Sequence, residues 1–415
     1  MTRSSGLSPR APWRGRRILL GVSGGIAAYK TAQIARDLTL LGAEVDVVLT
    51  RAAREFVTPL TFEALTGRPV HEHVWEAGDA ALHIRLAREA ELVVLAPATA
   101  DLIARHAAGM ADDLLTAVLL ATRAPVLVCP AMNPRMWEHS ATRANVERVR
   151  DAFGHTILGP ARGRMAHGEG EGTGRMVEPE LVVEHAGRML AGQGPLRGRR
   201  VLVTAGPTRE PVDAVRVLSN RSSGRMGYAL AIEAWRRGAD VMLVTGPGSA
   251  DAPAMLEPVR VETAAEMEAA VRDALPDSDV LIMSAAIADF RPSDPSGRKL
   301  KKSDGVPRLE LEPAPDVLGA TRDARPDGLL VVGFALETDD ALESGRRKLA
   351  EKAMDLIVVN EADAAAGSGF EVDTNRVVLL DREGGEDALP LQSKADVAAA
   401  VLDRVERLLD GRPSR

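Results

Sequence analysis

The chain has 415 residues, 45% of them hydrophobic and 27% charged, so it is long enough for two or three globular domains. A net charge of −7 and an aromatic content of only 3% argue against a nucleic-acid-binding surface. The single cysteine, Cys129, excludes an intramolecular disulfide framework and favours a reducing compartment. Because no uncharged run is long enough to span a bilayer, we expect a cytoplasmic protein without membrane or nucleic-acid partners.

The N-terminal segment predicts a strand–turn–helix–strand unit behind a tail. Residues 1–15 are polar and basic and are predicted to be disordered. Strands are predicted at Arg17–Val22 and Glu44–Leu49, with a Ser-Gly-Gly turn at 23–25 and a helix at 26–41 between them. This arrangement is typical of anion binding at a helix N-terminus. The motif is weak, however, because an ordinary strand–helix turn uses the same residues.

The stretch from residue 82 to residue 137 contains two further apolar runs, each followed by a short loop. The sequence APATAD follows a strand predicted at 92–96, and PAMN follows one predicted at 125–129. Ligands bind at the carboxyl ends of buried parallel strands, so these loops predict one wall of a binding crevice. Thr99 is placed to cap the next helix. The glycine-rich segment 163–174 is predicted to be a mobile loop.

The pattern of strand, glycine turn and helix starts again after a linker predicted at 193–198. Further strands are predicted at 200–204, 240–244, 280–284, 329–332, 356–359 and 376–380, and helices at 227–237, 264–275, 340–352 and 393–409. The predicted fold class is α/β, with two Rossmann-like domains (16–192 and 199–412) that contain mainly parallel sheets.

Three basic clusters follow strand ends in the second half. They are the arginines at 216, 221 and 225 around Asn220, the lysines of the KxKK motif at 299–302, and Lys348 with Lys352 at i,i+4 on a helix. Each alone could be a solvated face. Together they favour a nucleoside triphosphate or a phosphorylated substrate, but the chain has no P-loop motif.

Two side chains in the first half are candidates for chemistry. His83 begins a helix-like segment, and on spacing alone a surface or capping histidine is the more common interpretation. Asn133 could offer both a donor and an acceptor to a ligand. No residue set is assigned as a metal site.

These motifs resemble those of the bacterial bifunctional phosphopantothenoylcysteine decarboxylase / phosphopantothenate–cysteine ligase family of coenzyme A biosynthesis. The resemblance extends from about Arg16 to the C-terminal region and rests on two independent motif sets in the right order. In the first half, GVSGGIAAYK, LHIRLAREAELVVLAPATAD, GMADDLL and PAMNPRMW are similar to flavin-containing cysteine decarboxylases. The resemblance implies a flavodoxin-like flavoprotein fold for residues 16–192.

The resemblance also implies a mechanism and a site for this half. FMN binds between subunits of a trimer and oxidises the substrate thiol to a thioaldehyde, after which the carboxylate leaves. His83 would be the active-site histidine, and Met132 and Asn133 would bind the substrate. The implied FMN contacts are Ser23, Gly24, Thr50, Ala98 and Thr99.

One position departs from the family pattern. Where the family's loop carries a proton-donating cysteine, this chain has His167, within an Ala-His-Gly sequence. Between this position and the Arg-Met that follows, the chain has one residue more than the family pattern. Histidine can donate a proton near neutral pH, so His167 is predicted to replace the cysteine. Two alternatives are an active ligase with an impaired decarboxylase half, and a flavin-binding protein without enzymatic activity.

The second half resembles the ligase through TAGPTREPVDAVRVLSNRSSGRMG, SAAIADF, KxKK, APDVL and VGFALET. The resemblance implies that CTP with Mg²⁺ activates 4′-phosphopantothenate to an acyl-cytidylate, from which cysteine displaces CMP. Asn220 would hold the acyl-cytidylate, Arg216 the phosphate or carboxylate side, and Lys299 the triphosphate or the second half-reaction. The implied nucleotide contacts are Asp289, Lys299, Pro315, Asp316, Val317, Leu318, Phe334, Lys348 and Lys352. Dimers of this half are implied too, whereas the choice between CTP and ATP stays open.

Overall fold

The computed structural model describes residues 12–75, 81–168, 170–191, 194–301, 306, 308–337, 341–361 and 372–410. The chain divides into two compact units, with the boundary between residues 192 and 193. Each unit has apolar clusters on both faces of its own central sheet. No helix in the described part of the chain is long and apolar enough to cross a membrane.

The first unit alternates strands and helices along the chain. Its elements are β1 (Arg17–Val22), α1 (Ala28–Leu40), β2 (Glu44–Leu49), α2 (Pro59–Thr66), β3 (Val70–His71), α3 (Leu82–Glu89), β4 (Leu92–Ala98), α4 (Ala100–Ala107), α5 (Leu114–Ala121), β5 (Val126–Pro130), α6 (Pro134–Glu138), α7 (Ser140–Glu147), β6 (Thr156–Ile157), β7 (Ala161–Arg164), β8 (Glu171–Arg175) and α8 (Pro179–Ala191).

The central sheet of the first unit is parallel, with strand order β3-β2-β1-β4-β5-β6. Every residue of β4 is buried, because helices cover both faces of the sheet and each Val or Leu side chain meets apolar neighbours. The chain builds outward from β1 through β2 to β3 and then returns to the other side of β1 with β4. The carboxyl ends of β1 and β4 therefore form the topological switch point of this sheet.

Two predictions for the first unit are wrong. Trp13 lies in the segment predicted to be a disordered tail, yet its ring is buried in the core and its indole N–H donates to the carbonyl of Val183 at 3.0 Å. Residues 1–11 lie outside the described residues. The predicted mobile loop is mostly an antiparallel hairpin, formed by β7 and β8.

The second unit repeats the alternation with longer insertions. Its elements are β9 (Arg200–Ala205), β10 (Arg209–Pro211), β11 (Val217–Ser219), α9 (Arg225–Arg236), β12 (Asp240–Thr245), β13 (Val259–Arg260), α10 (Ala264–Ala274), β14 (Val280–Met283), β15 (Phe290–Pro292), β16 (Leu311–Pro313), α11 (Val317–Ala320), β17 (Leu330–Glu337), α12 (Ala341–Glu351), β18 (Leu356–Glu361), β19 (Thr374–Asp381), β20 (Glu386–Ser393) and α13 (Lys394–Leu409).

The second sheet has strand order β13-β12-β9-β14-β17-β18-β19-β20. It is parallel from β13 to β18, and β19 and β20 add an antiparallel edge. The connections that follow β9 and β14 contain two short antiparallel strand pairs, β10–β11 and β15–β16. The predicted fold class is confirmed, since both central sheets are mainly parallel and flanked by helices. The switch point of the second sheet lies between β9 and β14.

Candidate active sites

A cavity of about 1090 Å³ opens at the carboxyl edge of the first sheet, at the switch point between β1 and β4. Its walls are the loops after β1, β2, β4 and β5, together with both arms of the β7–β8 hairpin. Of the residues predicted for this site, the lining includes Ser23, Gly24, Thr50, Thr99, Met132 and Asn133. Ala98 is buried within β4 and is not part of the lining.

The loops after β1 and β4 are joined at this edge. The hydroxyl of Ser23 donates to the carbonyl of Pro97 at 2.7 Å and accepts from the N–H of Thr99 at 3.0 Å. The Thr99 side chain caps α4, as predicted, by accepting from Leu102 N. A Cβ atom on Gly24 would lie 2.4 Å from the Ala52 side chain, so only glycine fits there. The result is a fixed backbone edge that a ligand can approach closely.

Asn133 connects the PAMN loop to the helix that follows. Its side-chain oxygen accepts from the N–H of Arg135 at 2.9 Å and so caps α6, whose first residue is Pro134. The cap occupies the amide oxygen and leaves the two amide N–H groups to bind a ligand in the cavity.

The β7–β8 hairpin is attached to the PAMN loop. The N–H of Met132 donates to the carbonyl of Gly174 at 2.9 Å. A Cβ on Gly174 would lie 2.1 Å from the Met132 oxygen, and one on Gly172 would lie 2.5 Å from the Pro134 ring. These glycines are therefore required for close packing, which the prediction of a mobile loop missed.

His167 lies at the exposed tip of the same hairpin. It follows Ala166, which lines the cavity, but it is not itself in the lining. The only cysteine, Cys129, is fully buried in β5, and burial raises the pKa of its thiol. Cys129 therefore cannot take the place of the missing loop cysteine, because it reaches neither the cavity nor solvent.

His83 lies in the first turn of α3, outside the lining of this cavity. Its Nδ1 atom is enclosed and has no hydrogen-bond partner among the described residues. A buried polar atom without a partner is rare in folded proteins, so this nitrogen is unusual. The structure thus brings Asn133 and the loop residues together but leaves His83 apart from them.

Several charged residues of the cavity wall were not predicted from the sequence. The ammonium of Lys30, on α1, is buried and donates to the carbonyl of Met176 at 3.2 Å and to Glu178 at 3.1 Å. Arg105 pairs with three acidic residues, Asp101, Asp112 and Asp113, at 3.1, 3.1 and 2.8 Å. The i,i+4 spacing of Asp101 and Arg105 was a usable signal, whereas the long-range contact of Lys30 was not.

The switch point of the second sheet is held together by threonine hydroxyls. The Thr204 hydroxyl, at the end of β9, accepts from the N–H groups of Ser284 and Ala285 at 3.1 Å each. The Thr208 hydroxyl accepts from Ala288 N at 3.0 Å. The hydroxyl oxygen of Ser284 is enclosed without a hydrogen-bond partner in the described part of the chain. The SAAIAD segment after β14 is thereby fixed to the end of β9.

Asn220 is attached to the same segment. Its side-chain N–H groups donate to the carbonyls of Ala286 and Ile287, at 3.2 and 3.0 Å. Arg216 pairs with Asp213 and donates to the carbonyl of Leu300, the residue after Lys299. The structure therefore brings together three predicted elements: the SNRSSG segment, SAAIAD and the start of KxKK. Lys302 lies outside the described residues.

Two predicted nucleotide contacts, Asp316 and Lys352, form an ion pair. Asp316 also caps α11 by accepting from Gly319 N at 3.1 Å. Burial opposes the charge of Asp316, but Lys352 and the N–H of Gly319 hold its pKa below its ordinary value. Lys352 is thus oriented by a carboxylate at the start of the helix that carries Val317 and Leu318.

Three further predicted nucleotide contacts are Asp289, Phe334 and Lys348. The carbonyl of Asp289 accepts from Ala314 N at 2.9 Å, which places Asp289 beside the loop of Pro315. Phe334 is half-buried in β17. Lys348 lies on α12, about one turn before Lys352, which follows the end of that helix. Within the described residues, no group of three or more His, Cys, Asp or Glu side chains could hold a metal ion.

Two family models match consecutive parts of the chain. Residues 8–190 match the family described as Flavoprotein, and residues 196–409 match the DNA/pantothenate metabolism flavoprotein C-terminal domain. The chain is also similar over 95% of its length to proteins named coenzyme A biosynthesis bifunctional protein CoaBC. It is 45% identical over 399 residues to that of Vibrio vulnificus strain YJ016, and the match covers 98% of that protein. It is 46% identical over 412 residues to that of Mycobacterium bovis, with 97% of that protein covered.

The folds, the sites and these matches define a two-unit α/β flavoprotein with a site at the switch point of each parallel sheet. The chain belongs to the CoaBC family of bifunctional enzymes of coenzyme A biosynthesis. It is a phosphopantothenoylcysteine decarboxylase and a phosphopantothenate–cysteine ligase in one chain. The family predicted from the sequence motifs is confirmed.

Proposed function

We propose that the second unit joins 4′-phosphopantothenate to cysteine with CTP and Mg²⁺ through an acyl-cytidylate. The first unit then decarboxylates 4′-phosphopantothenoylcysteine to 4′-phosphopantetheine with FMN. The observation that carries the proposal is that residues from each motif set, such as Asn133 in the first unit and Asn220 in the second, lie at the carboxyl edge of a parallel sheet, where ligands of such sheets bind.

The residues around the first cavity fit a flavin mononucleotide. Ser23 joins the loops after β1 and β4. Gly24, after β1, leaves a bare backbone edge, and Thr50, after β2, and Thr99, after β4, add hydroxyl groups to the lining. Such an edge suits a phosphate group. The bound flavin would supply the oxidation of the substrate thiol and the later return of the electrons.

The protein's own groups bind the substrate and move protons. The amide N–H groups of Asn133 bind the substrate's carboxylate, and Met132 provides an apolar contact beside them. His83 reaches the reacting centre from a neighbouring subunit of a trimer. Its position outside the lining of the cavity in its own chain supports this assignment.

His167 donates the proton to the enethiol carbon during product reduction. Two observations support this role: Cys129 is buried in β5, and Ala166, next to His167, lines the cavity. The exposed position of His167 at the hairpin tip favours the second candidate, an active ligase with an impaired decarboxylase half.

In the second unit, Asn220 and the SAAIAD segment hold the acyl-cytidylate, and Arg216 binds the phosphate or the carboxylate of phosphopantothenate. Lys299 acts on the triphosphate or in the aminolysis step, and Lys348 and Lys352 contact the nucleotide. A carboxylate resists attack by an amine until its oxygen becomes part of a good leaving group. Cations then offset the charge that develops on pyrophosphate. This unit forms dimers.

One incubation tests both activities. The purified protein is supplied with 4′-phosphopantothenate, cysteine, Mg²⁺ and either CTP or ATP, and pyrophosphate, CO₂ and 4′-phosphopantetheine are measured. We expect all three products with CTP and a much lower rate with ATP. Pyrophosphate without CO₂, with phosphopantothenoylcysteine accumulating, would establish the impaired decarboxylase. A preparation without flavin absorbance would exclude the FMN assignment and leave the ligase assignment intact.

A further inference from the structure

We infer that Asp213 is a positioning residue of the ligase unit, whose carboxylate fastens the loop that carries Lys299 to the loop that carries Arg216. The inference rests on the proposed function, in which Lys299 acts in one of the two ligase half-reactions. Asp213 precedes Leu300 by 87 residues, so no local motif connects them.

The two carboxylate oxygens of Asp213 accept hydrogen bonds from different backbone groups. One, Oδ1, accepts from the backbone N–H groups of Val215 and Arg216, both at 2.8 Å, and so closes the turn that leads to Arg216. The other, Oδ2, accepts from the N–H of Leu300 at 3.2 Å and pairs with the guanidinium of Arg216 at 3.0 Å. No part of the side chain is exposed.

Arg216 completes the attachment from the other side. Its guanidinium donates to the carbonyl of Leu300, while Asp213 accepts from the N–H of the same residue. Both backbone groups of Leu300 are therefore held by one acid–base pair. A further backbone bond, from Ser296 N to Val212 O at 3.1 Å, fastens the start of the same loop. Lys299, directly before Leu300, is consequently fixed relative to Arg216.

The charge state of Asp213 suits this task. Burial opposes ionisation, but the three N–H donors and the adjacent Arg216 outweigh it and hold the pKa of Asp213 below its ordinary value. The carboxylate therefore accepts at both oxygens near neutral pH. An asparagine side chain has only one oxygen that can accept these hydrogen bonds. Its NH₂ group would therefore face N–H donors, either those of the turn or that of Leu300.

We therefore expect Asp213→Asn to loosen the Lys299 loop and to slow ligation by about 10- to 100-fold, the usual cost of misplacing a catalytic group. Two readouts test this. In a double-mutant cycle, Asp213→Asn should add little to the ligation defect of Lys299→Ala, because the two residues act as a unit. In limited trypsin digestion, cleavage after Lys299 and Lys301 should be about tenfold faster in Asp213→Asn, since Leu300 is no longer held at both backbone groups.

Two variants serve as controls. Asp294→Asn removes the same charge from an exposed position of the same segment. Asp381→Asn alters a buried carboxylate of the same kind, which accepts from Glu383 N and Gly385 N in the turn between β19 and β20. Both controls should retain ligation and the wild-type cleavage pattern around Lys299. Decarboxylation of added phosphopantothenoylcysteine should be unchanged in all variants.

The outcomes separate this inference from the proposed function. Unchanged cleavage after Lys299 and Lys301 in Asp213→Asn overturns the inference, whatever the enzyme activity. Losses that multiply in the double mutant would show that Asp213 affects ligation through Arg216 or another group, and would overturn the inference that it positions Lys299. Faster cleavage with full ligation would retain the attachment but reject the assignment of Lys299 to the ligase reaction.

Discussion

The two units build their sites at the same place in a parallel sheet but hold them in different ways. In the first unit, the hairpin and the PAMN loop touch through backbone atoms, and Gly172 and Gly174 leave no room for a side chain. In the second unit, the loops are joined by side chains such as Thr204, Asn220 and Asp213 that bond to backbone groups. The first site should therefore be disrupted by substitutions that add side-chain atoms to its glycines. The second site should be disrupted by substitutions that replace a hydrogen-bond donor or acceptor.

The largest effect is expected for Asn220→Asp in the second unit. The asparagine donates to two carbonyl oxygens, whereas an aspartate would set a negative charge against both of them. Acyl-cytidylate formation should fall by about 100- to 1000-fold, comparable to the loss of a preorganised donor in other active sites. Quenched-flow measurement of acyl-cytidylate without cysteine checks this, and normal accumulation would reject the role of Asn220.

The next largest effect is expected for His167→Ala. Loss of a proton donor should slow the reduction of the enethiol intermediate by about 100-fold. The initial oxidation of the substrate thiol should be nearly unchanged. The two half-reactions are followed by flavin absorbance in stopped flow. His167→Cys, which restores the family's residue, is the matched control. It should reduce the enethiol intermediate to product at least as fast as the wild type. An equal loss in both half-reactions for His167→Ala would contradict the role of proton donor.

A smaller effect is expected for Gly174→Ala, which tests the comparison most directly. The added methyl group would lie 2.1 Å from the Met132 oxygen, so the hairpin and the PAMN loop must move apart. Such overpacking costs about 1–3 kcal/mol, and FMN affinity should fall roughly in proportion. Gly163→Ala is the control in the same hairpin, because its Cβ would meet nothing closer than 3.5 Å. Equal FMN affinity in the two variants would show that close packing does not hold the hairpin.

The smallest effect concerns a histidine pair that occurs in the first unit. The Nε2 atoms of His106 and His155 are 3.0 Å apart, and burial together with His155 lowers the pKa of His106 to about 4. The unfolded chain takes up the proton first as the pH falls below 6.5, so folding stability decreases between about pH 6.5 and pH 4. We expect a loss of about 1–2 kcal/mol at pH 5 relative to pH 7.

Calorimetry across this pH range measures the loss, and the transition of the first unit should shift more than that of the second. In His106→Gln the shift should shrink by at least half, because the glutamine side chain does not titrate. An unchanged pH dependence in that variant would assign the effect to other groups.

The parallel core of both sheets could be predicted from the sequence because its strands are continuous apolar runs. Strands β1 and β2 begin and end at the predicted residues, and β4 extends the prediction by two residues. Strand β20 was missed because it is a half-exposed edge strand with polar residues and a proline, which carries no apolar run. Trp13 was missed for a similar reason, since one buried ring in a basic segment has no periodicity.

The sites were predictable only where a motif names the residues. Motif residues such as Asn133 and Asn220 do lie at the switch points of the sheets. The contacts that orient them, such as Lys30 with Met176 or Asp213 with Leu300, join positions far apart in the chain and leave no spacing signal. The glycines of the hairpin were misinterpreted because high glycine content is compatible with both mobility and close backbone packing, and only the neighbouring chain decides between them.

Cys129 carries the only sulfhydryl group of the chain and is fully buried in β5. We therefore expect the native protein to be unreactive toward thiol reagents. Any cysteine introduced at the surface would then be the single labelling position in the folded protein. A fluorophore or spin label placed on either site loop would report on that loop alone. When the first unit unfolds, Cys129 itself becomes available, so the rate of its alkylation measures the opening of this unit.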